Sequence, residues 1–265
     1  MYPILWSADG VAIYTYGVFV SLGTLVGLWY CRSQSSRMGL PPERIWNLGF
    51  VMIVTGLATA KTWLILSSFD RRGNTLADLT KVSVHSGGVY FGGLFGAGLA
   101  LCIYAHYRKL SILPLCDLFA TGLPLGHSIV KLGCLASGCC YGTPTTRAWG
   151  IVYTSPVAHQ LAGTPLSTAL QPTQLYEAGL EFCIFLILRG IANRQRAVGS
   201  VAATYFLLYG IGRALIEPFR GDPGRVLIFG GSVSQFQVVS VCIAAFGAVF
   251  IAHQNRSLKT VVSSQ

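Results

Sequence analysis

Charge is scarce in this chain. Asp, Glu, Lys and Arg make up 11% of its 265 residues, while 52% are hydrophobic and the mean hydropathy is +0.57. A soluble domain typically carries about twice that charge. The scarcity therefore excludes an ordinary soluble fold and points to a membrane chain, with no nucleic-acid partner expected. A low-complexity tract and an internal repeat are also missing, so a single membrane domain over 1–265 is expected. No cleavable leader is expected either: Met1 to Gly10 contains Asp9, no basic region and no small-residue cleavage site. Finally, the eight cysteines lack the spacing of a disulfide framework. Cys31, Cys102, Cys116, Cys183 and Cys242 stand singly in apolar runs, where they pack as small apolar residues.

What is abundant is apolar sequence in long runs, with 31 glycines that suit close helix packing in lipid. Seven runs, roughly 11–31, 46–67, 87–105, 112–132, 173–190, 199–219 and 231–252, are each about long enough to cross a hydrocarbon core of roughly 30 Å. The fold class expected is all-α, a polytopic integral membrane protein of about seven transmembrane helices. Net charge is +10, and its placement gives orientation. Arg32, Arg37 and Arg44, Arg108 and Lys109, Arg189, Arg194 and Arg196, and Arg256 with Lys259 all fall on one side, which the positive-inside rule makes cytoplasmic. The N-terminus is then outside and the C-terminus cytoplasmic. Arg71, Arg72, Lys81, Arg147, Arg220 and Arg225 fall on the outer side, either as imperfect bias or as attraction for anionic headgroups.

Two polar stretches break the pattern. Residues 68–86 read as an extracytoplasmic arm, and 134–172, rich in Gly, Thr and Pro, as an extracytoplasmic head. Gly88, Gly92 and Gly96 recur every fourth residue in the third run and predict close approach of another helix backbone.

Ionisable residues inside apolar runs locate the candidate chemistry, because a charge near mid-bilayer costs several kcal/mol, on the order of 3 by insertion scales, unless it is paired or faces a cavity. Tyr209, Arg213, Glu217 and Arg220 are spaced four, four and three apart, which places them on one stripe of the sixth run. Glu217 can pair with Arg213, and Pro218 predicts that the helix loosens there. A guanidinium grips phosphate bidentately, so an anionic phospholipid is one reading and a structural ion pair the other. Gln174, Glu177 and Glu181 share a face of the fifth run, whose first turn suits Pro172. His127 and Lys131 share a face of the fourth run, ahead of Gly133, Cys134, Ser137, Cys139, Cys140 and Gly142. Cys-x4-Cys-Cys is not a recognised zinc spacing, and no metal is expected. A disulfide, simple packing, or a reactive thiol activated by Lys131 all fit those three cysteines. Tyr14 and Tyr16 suit a membrane interface.

Taken in order, these segments resemble the bacterial prolipoprotein diacylglyceryl transferase family over most of the chain. The resemblance rests on Tyr16 and Gly17, the stretch Gly87 to Leu94, Asp117, Pro172 to Glu177, Tyr209 to Arg220, and Ser234 with Gln235. It departs from the family in the central motif, Arg-x-Gly-Asn-Phe-x-Asn-x-Glu-x-x-Gly. Lys131 stands for the arginine, Cys134 and Ser137 for the asparagines, Leu135 for the phenylalanine and Cys139 for the glutamate; Gly133 and Gly142 are kept. The family histidine ahead of the glycine pair is replaced by Phe91, with His127 or His85 as substitutes. Lysine keeps the charge but loses the bidentate fork, and Cys139 removes a carboxylate that would pair with it.

The resemblance implies transfer of the diacylglyceryl group of phosphatidylglycerol to the lipobox cysteine thiol of a preprolipoprotein, in the bacterial cytoplasmic (inner) membrane and without a cofactor. Its partners would be phosphatidylglycerol, the lipobox of the signal peptide and membrane lipids. Arg213, Glu217, Tyr209, Lys131 and His127 would be catalytic. Tyr16, Gly133, Gly142, Gln174, Tyr176, Glu177 and Arg220 would hold the phospholipid, and Cys134, Cys139 and Cys140 would form a thiol site. The alternatives are a divergent lipid or thiol transferase acting through the three cysteines, and a non-catalytic lipid-binding or transport protein.

Overall fold

The structure is a computed structural model that describes residues 2–8, 11–72, 90–194, 197–221, 227–228, 231 and 233–263. The expected arm at 68–86 lies outside them apart from its first residues, which continue a helix. Gly87, Gly88, His85, Lys81, Arg196 and Arg225 lie outside them altogether.

The described chain is overwhelmingly helical. A hairpin of β1 (Ile4–Ala8) and β2 (Val11–Tyr14) leads into α1 (Thr15–Ser35), followed by α2 (Pro42–Arg72), α3 (Tyr90–Arg108) and α4 (Ile112–Ser137). The stretch after α4 contributes β3 (Ile151–Val152), a short α5 (Pro156–Ala162) and β4 (Ala169–Leu170). Then come α6 (Thr173–Ala192), α7 (Ser200–Ile216), a 3-10 turn (Glu217–Phe219), the β5 (Leu227–Ile228) and β6 (Val233–Ser234) pair, and α8 (Gln235–Ser263). Each of the seven apolar runs overlaps one of the long helices. Three helices are long and apolar enough to cross a membrane by length and composition: α2 over Pro42–Leu66, α4 over Ile112–Ser137 and α8 over Gln235–Arg256. Protein covers little of α2 or α8; Phe50, Leu57, Leu66, Val241, Phe246 and Val249 are all exposed. In water that would be unfavourable, whereas lipid tails satisfy such faces.

The chain packs as two compact units, Met1–Cys31 with Cys116–Gln265, and Arg32–Leu115. In the second unit, α2 and α3 approach closely through Gly56 and Gly93, where a Cβ on either would lie 3.2 or 3.3 Å from the other's carbonyl oxygen. Gly92 and Gly96 pack against Trp63 and Thr59, which is the close approach their spacing predicts.

In the first unit, α1 and α4 cross on two matched glycine pairs, Gly23 with Gly126 and Gly27 with Gly122. A Cβ at any of the four would come within 2.5 to 2.9 Å of the facing carbonyl oxygen. Helix α6 buries one continuous stripe: Gln174, Glu177 and Glu181 in its first half, then Ile184 and Leu188. Its apolar half joins Ala120, Val201, Ala202 and Tyr205 in a core. Helix α7 is tied to α4 by a buried carboxylate. Asp117 accepts the Gly199 amide at 2.6 Å and the Ala202 amide at 2.8 Å, satisfying N–H groups at the start of α7 that lack partners within the helix. Ser234 and Gln237 form a reciprocal capping box on α8, each side chain accepting the other's backbone N–H.

Candidate functional site

The site is built where α4 ends. Gly138 adopts a left-handed conformation (φ 85°) and donates its amide to the Cys134 carbonyl at 2.9 Å, closing the helix. The helix runs to Ser137, past the expected end of the fourth span at 132, so Cys134 sits on its last turn rather than in the head. Cys140 also has positive φ (58°), a conformation that costs a non-glycine residue on the order of 1 kcal/mol and persists only where neighbours hold it. The holders come from the start of α6. The Thr173 hydroxyl donates to the Cys140 carbonyl at 2.8 Å, and Gln174 Nε2 donates to the Cys139 carbonyl at 2.7 Å and to the Tyr153 hydroxyl at 3.0 Å. Beyond the turn, the chain forms a narrow ladder. Gly142 N–H donates to the Gln171 carbonyl, Thr143 N–H to the Phe219 carbonyl and Gly221 N–H to the Tyr141 carbonyl, all between 2.8 and 3.0 Å. This ladder fixes the cysteine turn to both the start of α6 and the segment carrying Arg220.

Charged side chains converge on that ladder. Glu177 is the hub: Lys131 from α4 pairs with its Oε2, and Arg220 Nη1 reaches its Oε1 at 2.8 Å. Glu177 thus compensates both cations. Arg213 pairs with Glu217 one helical turn on, as their spacing predicts, and the Arg213 guanidinium lies 5.9 Å from the Phe236 ring centroid. Glu217 also accepts the Ser234 hydroxyl at 2.7 Å. The side chains of Lys131, Arg213 and Arg220 are each about 10% exposed, and Glu217 is fully buried. Ions so far out of solvent persist only when paired and hydrogen-bonded.

One expectation needs correction. Arg220 does not continue the Tyr209, Arg213, Glu217 stripe. Pro218 ends the α-helix at Ile216, the chain tightens into a 3-10 turn, and Arg220 is extended (ψ 139°), which swings it to Glu177.

The remaining candidates divide. His127 Nδ1 lies 2.6 Å from Glu181 Oε1, and Tyr209 stacks on Tyr205 with its ring 6.5 Å from His127. Tyr16 is within electrostatic reach of Lys131 and the three cysteines. Tyr176 donates to Gln171 Oε1 at 2.8 Å and accepts from Trp149 Nε1 at 2.9 Å. Gln174 is completely buried and serves to fix the cysteine turn. Gly133 and Gly142 are places of close packing: a Cβ on Gly133 would collide with Phe19, and one on Gly142 would lie 2.5 Å from Gln171 Cβ and 2.8 Å from the Phe219 carbonyl. Sequence reasoning missed Tyr153, Trp149, Thr173 and Phe236. Only Thr173 carried a usable signal, as a hydroxyl at the first position of a predicted helix.

The three sulfurs are free thiols rather than a disulfide. Their Sγ atoms lie within 4.8 Å of one another. Cys140, beyond the end of α4, has a thiol held well below the usual range, first by hydrogen bonds from Cys134 and Cys139 and then by the positive charges of Lys131 and Arg220. Cys139 is correspondingly raised, by its hydrogen bonds with Cys134 and Cys140.

A helical membrane protein with buried, paired cations around a thiol-rich turn is the class that fold and site define. The chain matches the family model for prolipoprotein diacylglyceryl transferase over residues 3–253, and it belongs to that family. It is 30% identical over 241 residues to the phosphatidylglycerol–prolipoprotein diacylglyceryl transferase of Clostridium tetani, covering 89% of this chain and 92% of that one. It is 28% identical over 257 residues to the protein of that name from Clostridioides difficile, covering 97% and 96%. It is 27% identical over 256 residues to phosphatidylglycerol–prolipoprotein diacylglyceryl transferase 2 of Clostridium perfringens, covering 96% and 95%.

Proposed function

We propose that this chain is an integral-membrane transferase that moves the diacylglyceryl group of phosphatidylglycerol onto the lipobox cysteine thiol of preprolipoproteins, releasing glycerol phosphate. The observation that carries the reading is the single carboxylate of Glu177 shared by Lys131 and Arg220 beside the Arg213–Glu217 pair. Three cations against two carboxylates leave an excess of positive charge in a mostly buried place, which favours an anionic phosphodiester. A guanidinium has five N–H donors, more than one carboxylate consumes, so a paired arginine still has donors to offer a phosphate. Donors held in place by ion pairs need little reorganisation as charge develops on the departing glycerol phosphate, and such preorganised stabilisation is the largest contribution a site of this kind makes.

In this reading all seven long helices are membrane spans in the bacterial inner membrane, with the N-terminus outside and the C-terminus cytoplasmic. Family membership and the one-sided basic clusters support that arrangement. The head at 134–172 and the arm at 68–86 would then lie on the outer face, and lipid would enter sideways from the outer monolayer. Tyr16 and Tyr176 would border the headgroup, with His127, held by Glu181, as the candidate base. The test is direct: purified protein in nanodiscs, labelled phosphatidylglycerol and a lipobox peptide. Transfer of label to the peptide cysteine is the expected result; binding of phosphatidylglycerol without transfer would favour a lipid-binding or transport protein.

A further inference from the structure

The sequence spacing argues against a metal, but the folded turn brings three sulfurs together that no linear pattern announces. We propose that Cys134, Cys139 and Cys140 form a three-thiolate site for Zn(II), with an open fourth position that binds the acceptor cysteine thiol of the substrate. The inference deepens the transferase reading and rests on it.

The geometry supports it in three ways. A zinc ion 2.3 Å from each thiolate needs sulfurs about 3.8 Å apart in tetrahedral coordination. Sulfurs already within 4.8 Å of one another reach that spacing by small side-chain rotations. The backbone is also held for the purpose, since the strained Cys140 and its neighbour Cys139 have their carbonyls fixed by Thr173 and Gln174. A turn kept only for packing gains nothing from aiming three sulfurs at one point. The charge fits as well: a zinc tris-thiolate carries one net negative charge, and Lys131 lies on the helix that leads into the turn while the segment carrying Arg220 is bonded to it through Gly221 and Tyr141. Three soft ligands select zinc or a softer ion over magnesium or calcium. Among the described residues no His, Asp or Glu joins the three, so the fourth position is left to a ligand from outside. Three protein ligands with one open position are the pattern of a catalytic rather than a structural zinc.

The chemistry that follows is S-alkylation. On loading, whatever protons the three cysteines still hold pass to solvent. The acceptor thiol takes the fourth position and loses its proton to solvent, because a coordinated thiol is deprotonated outright. Its sulfur attacks the glyceryl carbon bonded to the phosphate oxygen: the C–S bond forms, the C–O bond breaks, and the electron pair leaves on the oxygen of glycerol phosphate. No atom changes its redox partner. The product is a neutral thioether, a poorer ligand than the thiolate it replaces, so it departs.

The experiment uses full-length protein in nanodiscs, reduced, stripped with a chelator and reloaded with Zn(II) or Co(II). One metal per chain is expected by elemental analysis. A thiolate-to-cobalt charge-transfer band should shift on adding a lipobox peptide with cysteine and not the same peptide with serine. Cys140→Ser should lower zinc affinity by more than about a hundredfold, and chelation of the wild type, which needs no variant, should stop transfer until zinc is returned. Failure of the reduced protein to bind stoichiometric zinc or cobalt overturns the proposal. So does a cobalt band that ignores the cysteine peptide, a disulfide within the trio in protein isolated without reductant, or transfer that survives chelation. A band that responds to the peptide while no lipid is transferred upholds the metal–thiol site and overturns the transferase reading instead.

Discussion

Glu177 sits between Lys131 and Arg220 at the centre of the charged cluster, and its removal takes from two buried cations the carboxylate they share. Breaking a buried pair by deleting one partner costs about 3–5 kcal/mol. Glu177→Ala is therefore expected to lower the thermal unfolding midpoint in detergent markedly, with Glu177→Asp recovering part of the loss. Arg213 is expected to behave differently. Arg213→Ala should reduce transfer by about a hundred- to a thousandfold, mainly in kcat, while Arg213→Lys, which keeps charge and loses the fork, should fall between. Radiolabel transfer rates and unfolding curves on the same preparations separate the two effects; an Arg213→Ala protein with normal kcat contradicts the phosphate role. These residues also show what a sequence can carry. Arg213 and Glu217 were legible as a pair because one helical turn separates them. The Lys131–Glu177–Arg220 bridge was not, since its members lie on three separate segments and only the fold brings them together.

At the scale of elements, helix contacts depend on absent side chains and on a few buried polar groups. Gly142 lies in the ladder between Gln171 and Phe219, so Gly142→Val has no room and should abolish folded protein on size-exclusion chromatography. Asp117 binds the first amides of α7, and Asp117→Ala is expected to cost about 1–2 kcal/mol, read as a lower unfolding midpoint. Helix positions were largely legible, because long apolar runs leave few alternatives. The end of the sixth run followed from Pro218, although the resulting swing of Arg220 toward Glu177 did not. The paired glycines of α1 and α4 went unread: Gly23 and Gly27, like Gly122 and Gly126, are ordinary small residues until the facing backbone is known. The glycines around the cysteines imply a tight turn where the fourth run ends, but the convergence of the three sulfurs was hidden, since Cys-x4-Cys-Cys matches no familiar spacing until Gly138 reverses the chain.

The described residues make an apolar helical protein whose exposed faces suit lipid and whose buried charges are paired or, like Asp117, hydrogen-bonded. Its asymmetry of basic residues predicts an orientation: reporter fusions after Arg108 and at the C-terminus should be active on the cytoplasmic side, and one after Asp70 on the outer side. The chain belongs to the prolipoprotein diacylglyceryl transferase family. In the proposed account, a cation–carboxylate cluster takes the phosphate and a sulfur cluster takes the acceptor thiol. The most direct test of that account is the mass of a synthetic lipobox peptide after incubation with the reconstituted protein and phosphatidylglycerol. The account predicts a gain equal to one diacylglyceryl group on the peptide cysteine, lost in Arg213→Ala. A peptide of unchanged mass, with phosphatidylglycerol bound but intact, would contradict it.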